Sequence, residues 1–231
     1  ALQQPWPAPK GKIGILWSPS CVAKLLLHFT QTFELLSRTQ ESFELLRSSF
    51  PQLSFQVIDN WKQQNRVDVE GRPRRETLLI DGSSPAVIFN EQVPGFSRRS
   101  SSRDFPITAP WEPALFGRER DSNVFAQLGN GISIRELEVI AFKVNSGLIT
   151  LRITEAALVH QGIEGEFIEP VTWELPLLDL LSSFKLFSDS SAPHPLTWAQ
   201  RGQNLFVEVT SSAALSPALE FPGTVPLAHY W

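Results

Sequence analysis

The sequence predicts an α+β fold with a mainly antiparallel, curved β-sheet and a long N-terminal amphipathic helix packed on it. The 231 residues are 42% hydrophobic and include 16 Phe and 7 Trp, which is enough apolar material for a large core. One early stretch has helical periodicity, and the segments after it alternate as strands do. We therefore expect residues 1–231 to form a single domain in which strands outnumber helices.

The helix is predicted to follow a short strand at 12–17. Ser18 is a plausible N-cap and Pro19 suits the first helical position. The apolar positions that follow have the spacing of a stripe facing a core: Val22, Leu25, Leu26, Phe29, Phe33 and Leu36. A second helical piece is expected at 41–50, before Pro51.

The remaining segments have mostly strand patterns. Strands are expected at 53–59, 76–80, 86–89, 132–140, 148–159, 166–171 and 204–210, and a short helix is expected after Pro176. Residues 91–123 are rich in Pro, Ser and Arg and show no periodicity. We expect them to form a long loop within the domain.

Charge and composition exclude some classes of partner. The formal net charge is -4 and the pI is about 5.6, so binding to nucleic acid is not expected. No apolar run reaches the roughly 18 to 20 residues that span a bilayer, so no membrane partner is expected. The single cysteine, Cys21, fits a reducing compartment, and we expect a cytoplasmic protein.

Three segments carry a resemblance to a known family. Residues 68–82, Asp-Val-Glu-Gly-Arg-Pro-Arg-Arg-Glu-Thr-Leu-Leu-Ile-Asp-Gly, are followed by an Arg-rich stretch at 97–104 and by Glu-Gly-Glu-Phe-Ile-Glu-Pro-Val at 164–171. In this order they resemble the C-terminal domain of the TldD/PmbA family, known as modulators of DNA gyrase and as metallopeptidases. The resemblance covers roughly residues 12–222.

The resemblance also implies a lost metal site. Catalytic TldD-type members have a His-Glu-x-x-x-His helix with two zinc ligands and a general base, and a Cys near the C-terminus as third ligand. Here only His28 matches, because Phe29 stands at the Glu position, Phe33 at the second His position, and no Cys follows Cys21. The chain is thus more similar to the non-catalytic PmbA type. We expect no catalytic residue, no metal ligand and no cofactor, although active relatives use zinc.

Arginines are the candidate binding residues. Their guanidinium groups suit carboxylates, peptide carbonyls or phosphates, and we expect a peptide or protein interface at Arg74, Arg75, Arg98, Arg99 and Arg103. Solvated loops remain the alternative. Glu164, Glu166 and Glu169 are interpreted as solubilising charges at a turn and a sheet edge.

The leading functional hypothesis is a catalytically degenerate subunit of a peptide-processing protease complex. It would not be an enzyme on its own, would pair with a TldD-like catalytic subunit or with itself, and would help to enclose an unfolded peptide added to a sheet edge. Two alternatives stay open. One is an active zinc metallopeptidase using His28 with distant histidines, and the other is a stand-alone assembly or regulatory domain.

Overall fold

The computed structural model describes residues 4–36, 44, 47–48, 50–59, 67, 71, 73, 76–85, 97–100, 103–108, 112–143, 146–200 and 203–230. The chain divides into two compact units. Unit 1 consists of Ala1–Val22, Gly117–Ser191 and Ser212–Trp231, and unit 2 consists of Ala23–Phe116 and Ala192–Ser211. The prediction of a single domain over residues 1–231 stays a prediction.

Strands account for most of the regular structure. They are β1 (Pro9–Trp17), β2 (Phe55–Asp59), β3 (Thr77–Asp81), β4 (Ser84–Pro85), β5 (Ser97–Ser100), β6 (Arg103–Thr108), β7 (Ala114–Gly117), β8 (Arg120–Asp121), β9 (Gly131–Lys143), β10 (Leu148–His160), β11 (Ile163–Phe167), β12 (Val171–Pro176), β13 (Leu186–Gln200), β14 (Gln203–Pro222) and β15 (Val225–Pro226). The helices are α1 (Pro19–Leu36), α2 (Val124–Leu128), α3 (Leu177–Ser182) and a 3₁₀ turn at Leu227–His229.

Unit 1 is built on a sheet in the order β11-β10-β9-β1-β14, with β12 also paired to β10. The long strands alternate as half-buried strands should, because successive side chains point to opposite faces. In β10, Ile149, Leu151 and Ile153 are buried, whereas Arg152 and Thr154 are exposed. This alternation places the apolar face of the sheet on the core of the unit.

Aromatic rings fill the core of unit 1. The Trp17 ring stacks on Trp173 at a centroid distance of 6.2 Å, and Trp173 meets Phe221 edge-on at 5.4 Å. The buried Trp17 indole Nε1–H donates to Ser216 Oγ at 3.0 Å, so its polar group is satisfied inside the apolar core.

Unit 2 contains the antiparallel strands β2, β3 and β4, and β7 pairs with β2. Its core includes the buried side chains of Leu25, Leu26, Phe29 and Phe55. The carboxylate of Asp59, 1% exposed, accepts a hydrogen bond from the Glu112 backbone N–H at 2.8 Å. Asp59 precedes the segment that carries the family resemblance, and this bond gives it a structural role.

The predicted fold class is wrong. Of the residues that the structure describes, 61% lie in strands and 18% in helices, so this is a mostly β protein rather than an α+β one. Its sheet is mixed, because β1 runs parallel to β9 but antiparallel to β14. Of the described helices, only α1 has seven or more residues, so a long N-terminal helix packed on a sheet does not define this fold. Strand partners far apart in sequence are chosen by tertiary packing, which local periodicity cannot reveal.

The segment predicted as a long loop contains regular structure. Within 91–123, the described residues form β5 to β8. The hairpin between β10 and β11 is also tighter than expected, because its turn consists of Gln161 and Gly162, with φ of 51° and 78°. Two positive φ values in succession are typical of a two-residue hairpin turn. Within the described residues, no helix combines the length and the apolar character needed to cross a membrane.

Candidate functional site

Helix α1, in which the degenerate metal motif was expected, contains one histidine, His28. His28 lies on α1 and is partly buried, and burial lowers the pKa of its side chain below the ordinary value. Desolvation disfavours the charged imidazolium. The ring is therefore neutral at neutral pH, a protonation state in which one nitrogen can accept a proton or bind a cation.

The next residue cannot assist such chemistry. Phe29 is 3% exposed, and its ring packs against Phe50 with the centroids 5.9 Å apart. The position at which the resemblance expects a general base is thus part of the core of unit 2. Phe33 belongs to α1, but its side chain lies outside the described part of the chain.

A zinc ion does not fit these residues. Cys21 is fully buried, and its Sγ–H points to the backbone carbonyl of Ile134 at 3.8 Å. Seven residues of helix separate Cys21 from His28 by roughly 10 Å along the axis, whereas zinc ligands lie about 2.0 to 2.3 Å from the metal. Over the residues whose placement is described, no group of three His, Cys, Asp or Glu side chains could hold a metal.

The predicted arginine sites are only partly covered by the structure. Arg74 and Arg75 lie outside the described residues. Arg98 and Arg99 lie on β5, and Arg103 begins β6, where it pairs in register with Ser100. The structure therefore brings these three arginines into one antiparallel hairpin, which periodicity alone did not predict. Their role as an interface stays a prediction.

Unit 1 contains a groove that no sequence pattern indicated. Its volume is about 530 Å³, and it lies between the N-terminal segment and the β10–β11 hairpin. It is lined by Gln4, Pro5, Trp6, Thr154, Glu155, Ala156, Gly165, Glu166, Phe167, Ile168 and Pro170. Two partly exposed aromatic side chains contribute to it, Trp6 at 43% and Phe167 at 46%.

Backbone hydrogen bonds hold the N-terminal segment beside this hairpin. The Trp6 N–H donates to the Phe167 carbonyl at 2.8 Å, and the Glu169 N–H donates to the Trp6 carbonyl at 2.8 Å. The Glu169 carboxylate accepts from the Ala8 N–H at 3.1 Å. Trp6 and Ile168 form a parallel bridge, so an extended segment of this chain already lies along the sheet edge.

A β-bulge in β11 gives the groove its second wall. Ala157 pairs with Phe167, but Val159 pairs with Glu164, so two residues of β11 oppose Leu158 alone. A bulge of this kind redirects side chains. It brings Glu164 and Phe167 to the same face of β11. Gly165 was the sequence signal for it, since glycine inside a strand often marks a bulge.

Arg135 of β9 connects the residues that the bulge brings together. Its guanidinium donates to Glu155 at 3.3 Å and also to Glu164. The guanidinium carbon lies 5.1 Å from the centroid of the Phe167 ring, within cation–π range. The hydrogen bond with Arg135, more than any other cause, lowers the pKa of the Glu164 carboxyl, and the same pair raises the pKa of Arg135.

The hairpin tip is anchored on α2. The Gly162 N–H donates to the Gly129 carbonyl at 2.7 Å, and the Gln161 N–H donates to Asn130 Oδ1 at 2.9 Å. A Cβ at Gly162 would stand 3.1 Å from the Phe125 carbonyl oxygen. The tip therefore needs glycine for both its backbone angle and its close approach to α2. This anchoring fixes one end of β11, which forms a wall of the groove.

Comparison with solved structures identifies the fold. The chain is similar to TldE from Thermococcus kodakarensis (TM-score 0.72, 12% identity) over 94% of this chain and 51% of that one. It is also similar to a proposed modulator of DNA gyrase from Thermotoga maritima (TM-score 0.70, 16% identity), over 94% of this chain and 51% of the other. Another such proposed modulator, from Bacteroides thetaiotaomicron, matches with TM-score 0.60 and 13% identity over 92% and 48%.

At these identities the likeness shows a shared fold, and the chain spans about half the length of the structures it matches. No protein-family model and no curated protein matches the sequence. The fold expected from the three sequence segments, that of the gyrase-modulator proteins, is thereby confirmed at the level of architecture.

Proposed function

We propose that the chain is a non-catalytic subunit of a peptide-processing complex of the TldD/PmbA type. The observation that carries this proposal is the burial of Phe29, 3% exposed and packed against Phe50. Activation of a metal-bound water usually requires a nearby carboxylate as general base. A phenylalanine ring has no group that can accept a proton, so it cannot replace that carboxylate.

The retained scaffold supports a role beside an active partner. The chain shares its fold with TldE and two proposed gyrase modulators, although it is at most 16% identical to them. A chain that keeps this fold but lacks the zinc ligands and the general base is expected to act by binding rather than by catalysis. The partner would be a TldD-like chain with an intact His-Glu-x-x-x-His helix, or a second copy of this chain.

The sheet edge in unit 1 supports the peptide part of the proposal. Addition of an extended peptide to an exposed edge is a general mode of peptide recognition. β11 is the terminal strand of the described sheet order, and residues around Trp6 already pair along its C-terminal end. A substrate segment would make backbone hydrogen bonds of the same kind.

The proposal is tested by isolation of the complex from the native cell. A tagged chain should co-purify with a protein that carries an intact His-Glu-x-x-x-His motif. The mixture, but neither chain alone, should cleave a labelled unfolded protein such as casein, and a chelator should abolish this cleavage. The tagged chain with Phe29→Leu, a replacement that keeps the core apolar, should give the same complex and the same activity.

Measurements on the isolated chain could contradict the proposal of a non-catalytic subunit. Elemental analysis should find no more zinc in the wild type than in His28→Ala. If the chain alone cleaved the substrate in a zinc-dependent manner, and His28→Ala abolished both zinc and cleavage, the metallopeptidase alternative would replace this proposal. Recovery of the native chain with no motif-bearing partner would favour a stand-alone assembly or regulatory domain.

A further inference from the structure

Two aromatic side chains, those of Trp6 and Phe167, line the groove in unit 1. Both aromatic side chains are partly exposed, 43% and 46%. Large, partly exposed aromatic residues around a concavity are typical of binding surfaces. Ile163, at the other end of β11, is a second exposed apolar side chain of this strand, 73% exposed.

The charged side chains in the groove have one sign. Among the described residues that line it, Glu155 and Glu166 are acidic and none is Lys or Arg. The nearby Arg135 does not offset this charge fully, because it is shared between the carboxylates of Glu155 and Glu164. The groove is thus acidic and aromatic, which disfavours polyanions and favours an organic cation.

The position of the groove beside a sheet edge favours a cation carried on an extended segment. The groove adjoins the backbone of β11, and the bridge between Trp6 and Ile168 shows that extended chain fits along this edge. Trp6 already takes the backbone groups of Phe167 and Glu169, so a ligand would lie farther along β11 and place alternate side chains toward the groove. A volume of about 530 Å³ accommodates one or two side chains rather than a folded domain.

We propose that this groove binds an extended peptide segment in which a lysine or arginine stands next to an apolar residue. The cation would lie between the Glu166 carboxylate and the aromatic face of Trp6, because Arg135 already stacks on the Phe167 ring. The apolar neighbour would cover exposed surface of β11. The inference rests on the proposed function in one respect, because it takes the bound peptide to be a substrate of the peptide-processing complex. Binding itself requires neither metal nor partner.

The test uses the isolated full chain and two capped, fluorescein-labelled pentapeptides, Gly-Leu-Arg-Leu-Gly and Gly-Leu-Glu-Leu-Gly. Fluorescence anisotropy should show saturable binding of the arginine peptide below about 1 mM, and at least about tenfold weaker binding of the glutamate peptide. Because exposed charge pairs are screened by salt, the affinity for the arginine peptide should fall as ionic strength rises.

Matched variants locate the binding. Glu166→Gln and Trp6→Ala should each weaken the arginine peptide by about threefold, and the double variant by about tenfold. Glu138→Gln removes an exposed glutamate of β9 that does not line the groove, and it should leave the affinity unchanged. Far-ultraviolet circular dichroism and a thermal melt confirm that each variant is folded.

The inference is overturned by equal affinity for the two peptides, by absence of binding at about 1 mM, or by an equal loss in Glu138→Gln. Its failure is distinguishable from failure of the proposed function. Co-purification with a motif-bearing partner would stand without groove binding, and groove binding would stand if no partner were found.

Discussion

The guanidinium carbon of Arg135 lies 5.1 Å from the centroid of the Phe167 ring. This contact depends on the bulge in β11, because a regular ladder would put Glu166, rather than Phe167, opposite Ala157. The bulge thus lets one arginine stack on an aromatic ring while it binds Glu155 and Glu164. Through these contacts β9 supports a wall of the groove.

Replacement of Arg135 should loosen this wall. Arg135→Ala removes an exposed ion-pair network and a cation–π contact, and we expect a loss of about 1 kcal/mol in the free energy of unfolding, measured with urea. Arg135→Lys should lose less, because it keeps the charge but not the planar fork. Arg152→Ala on β10, another exposed arginine of unit 1, should change stability by less than about 0.5 kcal/mol. Equal losses in Arg135→Ala and Arg152→Ala would contradict the assigned contacts.

Glu164 should make stability depend on acid pH. Its pKa is lowered, first of all by the hydrogen bond with Arg135, so the unfolded state takes up a proton at higher pH than the folded state does. The stabilisation is complete above the unfolded pKa of about 4.3 and is lost as pH falls through the lower folded value. Glu164→Gln should therefore be less stable than wild type at pH 7, and the difference should shrink below about pH 4. A difference that stayed constant with pH would show that Glu164 acts through packing alone.

His28 should make stability depend on pH in a higher range than Glu164 does. Burial lowers its pKa, so the folded state resists protonation while the unfolded state binds a proton below about pH 6.5. Stability contributed by the neutral ring is present above that pH and declines as pH falls toward the folded value. His28→Gln should remove this decline, as measured by urea unfolding at about pH 7.5 and about pH 5.5. Because desolvation rather than surface charge is the cause, high salt should leave the difference in place. If the free energies of unfolding of wild type and His28→Gln changed equally with pH, burial would not be the cause of the lowered pKa of His28.

Phe29 should be needed for stability rather than for chemistry. Phe29→Ala removes a ring that is 3% exposed and packed on Phe50, and we expect a loss of about 3 to 5 kcal/mol in the free energy of unfolding. Phe206→Ala provides the control, because its side chain is 83% exposed and the same truncation there should have a small effect. A loss below about 1 kcal/mol at Phe29 would show that this helix face is not part of the core.

Sequence reasoning was strongest where the pattern is local. Alternation in β10 and the helix start at Pro19 follow from side-chain periodicity and from the fixed φ of proline, whereas β12, at Val171–Pro176, was not predicted. The prediction of a loop over residues 91–123 failed, because β5 and β6 pair with each other there, and β7 and β8 pair with strands far away in the sequence. The groove was not predicted either, since Trp6 and Glu166 line it together only because the N-terminal segment pairs with the end of β11.

By itself, the sequence determined the apolar residue at position 29, the alternation of β10, and three segments whose order indicated the fold. These are properties of single residues and of their near neighbours. Tertiary structure alone decided that the sheet is mixed, that Arg135 meets Phe167, and that acidic and aromatic side chains surround one groove. Each of these depends on pairing between segments far apart in the chain, and that pairing is selected by burial of the whole apolar surface rather than by any local preference.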